Sequence, residues 1–398
     1  MKTNGSSIFT VAVHAGERAP KPEFTPVATP IYPSSSFFYA DMEMLDGAFA
    51  GTHSGPMYAR YGNPTVSALE TAVAALEGGE AALAYSSGMA AIHGALLGAG
   101  ARAGAAIVAA YDVYGATYAL LSTLLKDLGV SAHFVDAADA DAAGNTVRET
   151  RAAAVIVETL SNPLLKVADL PRLAQAAHDG GAALLVDNTF ATPYLCRPLG
   201  SGADYVIHSA TKYLGGHGDV LGGVVVTSEE RRQRLFEINK LIGGNLGPQE
   251  AWLVLRGIKT LPLRVQRQCE NALVVARWLA AHTAVCRVHF PGLASHPQYG
   301  LATRMLNRGL SGAMVSFELR DGTRERVFRF LEALKLIIPA TTLGDVYSLV
   351  LYPAMSSHRA LDPDVRRSYG ISDGLVRLSV GIEDPADIIA DLEQALGS

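Results

Sequence analysis

The residues best suited to chemistry lie in YVIHSATKYLGGHGDVLGG, residues 205–223. An apolar run ends at His208; Ser209, Thr211 and Lys212 follow at once, and then a glycine-rich turn. Most lysines are solvated surface groups, and Lys212 taken alone reads as one of them as readily as a nucleophile. Its setting points to chemistry. A lysine at a strand end, beside hydroxyls and glycines that admit a ligand close to the backbone, can lose its proton and attack a carbonyl to form a Schiff base. Ser209 and Thr211 then offer hydroxyls to a phosphate. Asp187 ends another apolar run, AALLVD, one strand–loop–strand step before Lys212. A lone Asp after a strand is most often a turn or cap residue. Paired with a downstream lysine it is the acid that keeps the ring nitrogen of pyridoxal 5′-phosphate (PLP) protonated, so that the ring accepts electrons.

Two further loops fit the same ligand. ALAYSSGMAAIHGALL carries an apolar run into Ser86-Ser87-Gly88-Met89 and then a helical pattern. Free N–H groups at such a helix start, with the macrodipole behind them, attract an anion, and Gly88 permits close approach. Ordinary strand–helix turn chemistry is the competing reading; with Ser209 and Thr211 to hand, the phosphate cradle is preferred. YDVYGATY (111–118) offers three rings for stacking on a cofactor plane, Tyr111, Tyr114 and Tyr118, and the residues alone do not choose among them. The run Gly98-Ala-Gly-Ala-Arg-Ala103 imitates a dinucleotide fingerprint, but its glycines follow a helix and precede a strand, the reverse of the order such a site needs. None of the 11 histidines shows metal-ligand spacing.

The elements that must position these groups are legible as short apolar runs at Ala81–Tyr85, Ala105–Ala110, Ser131–Val135, Ala154–Val157, Ala183–Val186, Tyr205–Ile207 and Gly223–Val226. Helical segments separate them, at Ala90–Leu97, Tyr118–Leu128 and Leu170–His178, and Asn63-Pro64 is a helix start signal. Strands alternating with helices imply parallel pairing by crossovers, with ligands beyond the carboxyl ends of the strands. Residues 1–62, rich in Pro, Ser and aromatics, read as an extended arm that packs on a neighbouring subunit. Residues 63–257 read as the cofactor domain. After the helical pattern Leu261–His282, the alternation Ala313–Leu319, Val327–Leu334, Leu375–Val380 and Ala386–Leu396 makes 258–398 a smaller α+β domain. The 398 residues carry a net charge of −5 and no long Lys/Arg run, which argues against a nucleic-acid groove or a polybasic membrane surface. Three separated cysteines exclude a disulfide framework. The first twenty residues lack the apolar core of a signal peptide, and no run is long enough to span a membrane, so a cytoplasmic protein is expected.

Together, YARYGNPT (58–65), SSGM (86–89), DVYGATY (112–118), ETLSNP (158–163), VDNTFATP (186–193), HSATKYLGGHGDVLGG (208–223) and VRLSVGIED (376–384) resemble the Cys/Met-metabolism, or trans-sulfuration, family of PLP-dependent enzymes over nearly the whole chain. The resemblance implies an α/β fold of PLP fold type I, like aspartate aminotransferase, with a mostly parallel seven-stranded sheet. By that resemblance Lys212 carries the cofactor and moves protons, Asp187 faces the ring nitrogen, Tyr114 stacks on the ring, and Asn162 lies near the ring hydroxyl. Gly88, Met89, Ser209 and Thr211 hold the phosphate, while Tyr58 and Arg60 reach the phosphate of a neighbouring subunit. A dimer is then the minimal active unit and a homotetramer the expected assembly. Arg377 grips the substrate carboxylate, with Asn162, Thr341 and Thr342 beside it, and Tyr114 is the acid for the departing γ-group.

The activity so implied is α,γ-elimination on cystathionine, methionine or homocysteine, giving a 2-oxo acid, ammonia and a thiol. The rivals are γ-replacement on O-acetyl- or O-succinyl-homoserine and, more distantly, transamination. A non-catalytic scaffold has no need of Lys212, Asp187, Tyr114 and Arg377 together. Two departures bear on substrate. Ala116 stands where methionine γ-lyases carry cysteine, and Thr341-Thr342 replaces the Glu-Ser of cystathionine enzymes. Without that glutamate the distal ammonium of cystathionine lacks a partner.

Overall fold

A computed structural model describes residues 6–16, 25–53, 55–356, 359 and 362–397. The reading of the first twenty residues falls in part on 1–5 and 17–20, which lie outside the described residues. Among those described, the chain forms a seven-stranded and a five-stranded sheet, each with its own core.

The larger sheet comprises β1 (Ala81–Tyr85), β2 (Ala106–Ala110), β3 (Ser131–Val135), β4 (Ala154–Glu158), β5 (Ala183–Asp187), β6 (Tyr205–Ser209) and β7 (Gly223–Thr227), in the order β1-β7-β6-β5-β4-β2-β3. Strands β2 to β6 pair in parallel, as strand–helix alternation requires. β7 runs antiparallel to both β6 and β1. The link between β6 and β7, residues 210–222, contains turns and no helix, so no crossover carries the chain back and the strand returns in the opposite direction. The sheet is therefore mostly, not wholly, parallel. Its inner strands are mainly apolar and buried, as cover on both faces demands, with polar residues at the carboxyl ends of β4, β5 and β6.

The helix Pro64–Glu77 shows why the local signals work. Asn63 accepts a hydrogen bond from the Thr65 N–H (2.9 Å), Pro64 occupies the first turn, and Gly78 at φ 73° ends the helix in the left-handed region. Leu69, Val73 and Leu76 are fully buried on one face. Within the stretch read as an arm, Ile8–His14 is helical and buries Ile8, Val11 and Ala12 in the same core as Leu69 and Val73. Residues 25–40 carry almost no regular structure.

The smaller sheet comprises β8 (Val285–His289), β9 (Met314–Leu319), β10 (Ile338–Pro339), β11 (Leu349–Leu351) and β12 (Leu375–Ser379), in the order β10-β11-β12-β9-β8. The helix Leu261–Ala281 belongs to both bodies. Leu261, Val265 and Cys269 pack into the first core, and Ala272, Val275, Ala276 and Leu279 into the second. It fixes how the small sheet sits over the large one. The carboxyl ends of β1, β2, β4, β5 and β6 thus open towards β11 and β12, and the cavity lies there.

Candidate active site

That cavity, of about 450 Å³, is lined from the large sheet by Ser87, Gly88, Met89, Tyr114, Glu158, Asn162, Asp187, Ser209, Thr211 and Lys212, and from the small domain by Thr341 and Arg377 among others. The large-sheet residues, far apart in the chain, meet because they end or follow strands at one edge of a single sheet.

Lys212 follows β6, and its Nζ donates to Thr342 Oγ1 at 2.9 Å, across the seam between the two bodies. Burial, and then the Arg377 cation, holds its amine below the usual lysine range; Asp345 opposes them. Asp187 ends β5 and accepts the Thr189 N–H at 2.9 Å. Burial raises its carboxyl, while the Thr189 hydrogen bonds and the His208 charge oppose that. Beneath it His208 Nε2 meets Glu77 Oε1 at 2.5 Å, and Asn188 Nδ2 donates to the same oxygen at 2.8 Å.

The loops expected to hold a phosphate have a shape that could take an anion. Ser87 caps the helix Gly88–Gly98 by accepting the Ala90 N–H at 3.1 Å, so the Gly88 and Met89 N–H groups at the cavity wall stand outside the helical ladder. A Cβ on Gly88 would lie 2.8 Å from Ser209 Cβ, so only glycine leaves the cradle open. Thr211 Oγ1 accepts the Gly222 N–H at 3.0 Å, which ties the loop after Lys212 back onto β7.

Of the three tyrosines left open by the sequence, Tyr114 lines the cavity. Tyr111 stacks on Tyr369 at 4.7 Å and Tyr118 packs on Phe134 at 4.4 Å. Arg377, on β12, is buried; its Nη1 donates to Asn162 Oδ1 at 2.8 Å and its Nη2 to the Thr342 carbonyl at 3.5 Å. Burial pushes its guanidinium down to about 10. Its Nε–H is buried with no hydrogen-bond partner among the described residues. An unpaired buried donor costs ~1–3 kcal/mol. Tyr58 and Arg60 lie outside this lining; Arg60 sits over the rings of Tyr58 (5.6 Å) and Tyr61 (5.3 Å). Glu158, at the end of β4, is the site residue the motif reading passes over, and Thr189, Phe190 and Ser356 join it in the wall. Glu158 stands inside ETLSNP, but a glutamate at a strand end carries no signal of its own.

The chain belongs to the Cys/Met metabolism family of PLP-dependent enzymes, whose model matches residues 9–397. It is 43% identical to an L-methionine gamma-lyase of Fusobacterium nucleatum, over 100% of this chain and 99% of that one. It is 44% identical to a cystathionine gamma-lyase of Bacillus subtilis, over 93% and 94% of the two chains. A Campylobacter jejuni protein solved with N′-pyridoxyl-lysine-5′-monophosphate superposes with a TM-score of 0.92 at 29% identity, covering 98% of this chain and 100% of that one. PLP is the cofactor, and the cavity fits it: Lys212, Asp187 and a glycine-gated anion cradle face a single space.

The Arg377 charge gives a first prediction. Arg377→Met removes a cation that disfavours the charged amine, so the pH midpoint at which cofactor-free protein captures PLP in a borohydride-stable linkage to Lys212 moves upward. An unchanged midpoint would show that Arg377 does not act on Lys212.

Proposed function

We propose that this chain is a carbon–sulfur lyase that performs α,γ-elimination on a sulfur amino acid, releasing a 2-oxo acid, ammonia and a thiol. The observation that carries the reading is the division of the cavity wall. Arg377, with its unpaired Nε–H and its Asn162 partner, suits an α-carboxylate, as charge-assisted donors in a planar fork do. Lys212 and Asp187 serve the cofactor, and Glu158 is held by backbone N–H groups. The rest of the wall is largely apolar, with Ile92, Leu160, Phe190, Leu343 and Leu351, plus Thr341. Among the described residues of this wall, no acid is left over for a distal ammonium. Methionine and homocysteine therefore fit better than cystathionine, in line with the missing glutamate at Thr341.

When bound, PLP supplies an electron sink that acidifies the Cα–H of the amino acid joined to it. The protein's own groups do the rest. Lys212 Nζ, held by Thr342 and kept below the usual lysine range by burial, is the base for that proton and returns it later. The Tyr114 hydroxyl protonates the departing sulfur. The apolar wall keeps bulk water from the reacting carbons.

Tyr58 and Arg60 stand outside this chain's own cavity, and Tyr58 is 45% exposed, which supports the reading that they serve the phosphate of a neighbouring subunit. The minimal active unit is then a dimer, with a tetramer as the full assembly. The chain divides functionally into the arm 1–62, the cofactor domain 63–257 and the substrate-side domain 258–398. No helix among the described residues is long and apolar enough to cross a membrane, and we place the enzyme in the cytoplasm. Full activity from a sedimenting monomer would overturn the shared site.

Elimination and replacement separate cleanly. Holoenzyme given O-acetyl- or O-succinyl-homoserine with a thiol is expected to turn over more slowly than with methionine alone. If 2-oxobutanoate appears only when a thiol acceptor is present, and replacement products accumulate, the chain is a γ-synthase or sulfhydrylase instead.

A further inference from the structure

Glu158 ends β4 directly beside Asp187, its register partner on β5, so two carboxylates stand side by side at the carboxyl edge of the sheet. Their hydrogen bonds differ. Asp187 accepts from Thr189, two residues along its own loop. Glu158 reaches into two other segments: Oε1 accepts the backbone N–H of Tyr114 at 2.6 Å, and Oε2 accepts the backbone N–H of Asn162 at 3.1 Å. Both donors belong to residues with a proposed role in the site. Tyr114 precedes the short helix Gly115–Ala119 and is 41% exposed as a residue, so packing holds it only in part, and the anchor at its backbone sets where the ring begins. Asn162 carries the hydrogen bonding onward, its Oδ1 accepting from Arg377 Nη1 at 2.8 Å.

We infer that Glu158 is a positioning residue, one carboxylate that fixes the stacking ring of Tyr114, the Asn162 amide and, through that amide, the substrate-gripping Arg377. The geometry accounts for a glutamate in the wall of a cavity whose other charged groups already have roles. It also makes three parts of the site, drawn from three separate loops, move as one. Burial, and then the neighbouring Asp187, pushes the Glu158 carboxyl well above the usual range; what holds the two donors is geometry, one N–H on each carboxyl oxygen. Glutamine at this position keeps the volume but turns one acceptor into an NH₂ group facing an N–H donor.

The inference rests on the cofactor site and not on the choice of substrate. In the Glu158→Gln holoenzyme the visible circular-dichroism band of the bound cofactor, which reports how the ring is held, is expected to lose half its amplitude or more. KM for the amino acid is expected to rise about tenfold, with melting temperature unchanged, while Glu158→Asp recovers part of both. In the wild type, the Tyr114 and Asn162 amides are expected to exchange with solvent about a hundredfold more slowly than unprotected backbone. That measurement decides the matter should the glutamine variant not fold. A Glu158→Gln band and KM within twofold of wild type, or free exchange at both amides, overturns the inference. Absence of any cofactor band in the wild type overturns the site assignment itself, so the two failures are distinct.

Discussion

Lys212→Ala is expected to lose turnover by about 10⁴-fold or more and to lose the borohydride-reducible link to the cofactor at the same time. Two roles meet in one Nζ. In the proposed mechanism it anchors the cofactor and is the base for the Cα–H; proton transfer by a positioned group alone is worth about 10²–10⁴-fold. The substitution leaves the fold intact, because Lys212 contributes a hydrogen bond to Thr342 and no core packing. Added PLP therefore still binds, through the Gly88–Met89 cradle and Asp187, without a covalent attachment. Turnover retained within tenfold of wild type would mean that another amine does this work.

Asp187→Asn moves activity and stability in opposite directions. The amide cannot stabilise a protonated ring nitrogen, and loss of a preorganised electrostatic partner typically costs about 10²–10³-fold in kcat. The cofactor-free protein responds otherwise. Burial raises the Asp187 carboxyl above its unfolded value, so its contribution is fully present below the unfolded pKa and is lost as pH rises through the folded value. Above the unfolded pKa the burial of this acid is a net liability to the empty fold, and the neutral amide relieves it. The apoprotein of the variant is expected to melt at or above the wild-type temperature while the holoenzyme fails. A variant that melts lower and keeps its kcat would assign Asp187 a structural role.

Much of this was legible because the strands are short apolar runs punctuated by turn residues. Each of the seven runs of the larger sheet appears within a residue or two of its expected bounds, and the site loops follow from the rule that ligands sit at the carboxyl ends. What escaped has physical reasons. The reversal of β7 depends on what lies in 210–222, not on the strand itself. The helix Glu229–Ile242 is charged along most of its length and buries only Leu235 and Asn239, so its apolar periodicity is faint. The contact of Lys212 with Thr342 spans 130 positions. Glu158 was hidden for the same reason, since the Tyr114 N–H it accepts lies 44 positions away. The choice among Tyr111, Tyr114 and Tyr118 needed the packing of Tyr369 and Phe134 to remove two of them from the cavity. Motif reading finds groups that act on ligands. It misses groups that act on other groups.

The central claim is elimination without an acceptor, and one measurement addresses it directly: purified holoenzyme with L-methionine as the sole substrate, with thiol, 2-oxobutanoate and ammonia quantified together. The account predicts all three products in equal amounts and no dependence on added 2-oxo acid. A requirement for a thiol or 2-oxo acid co-substrate, or 2-oxo acid formed without ammonia, would contradict it.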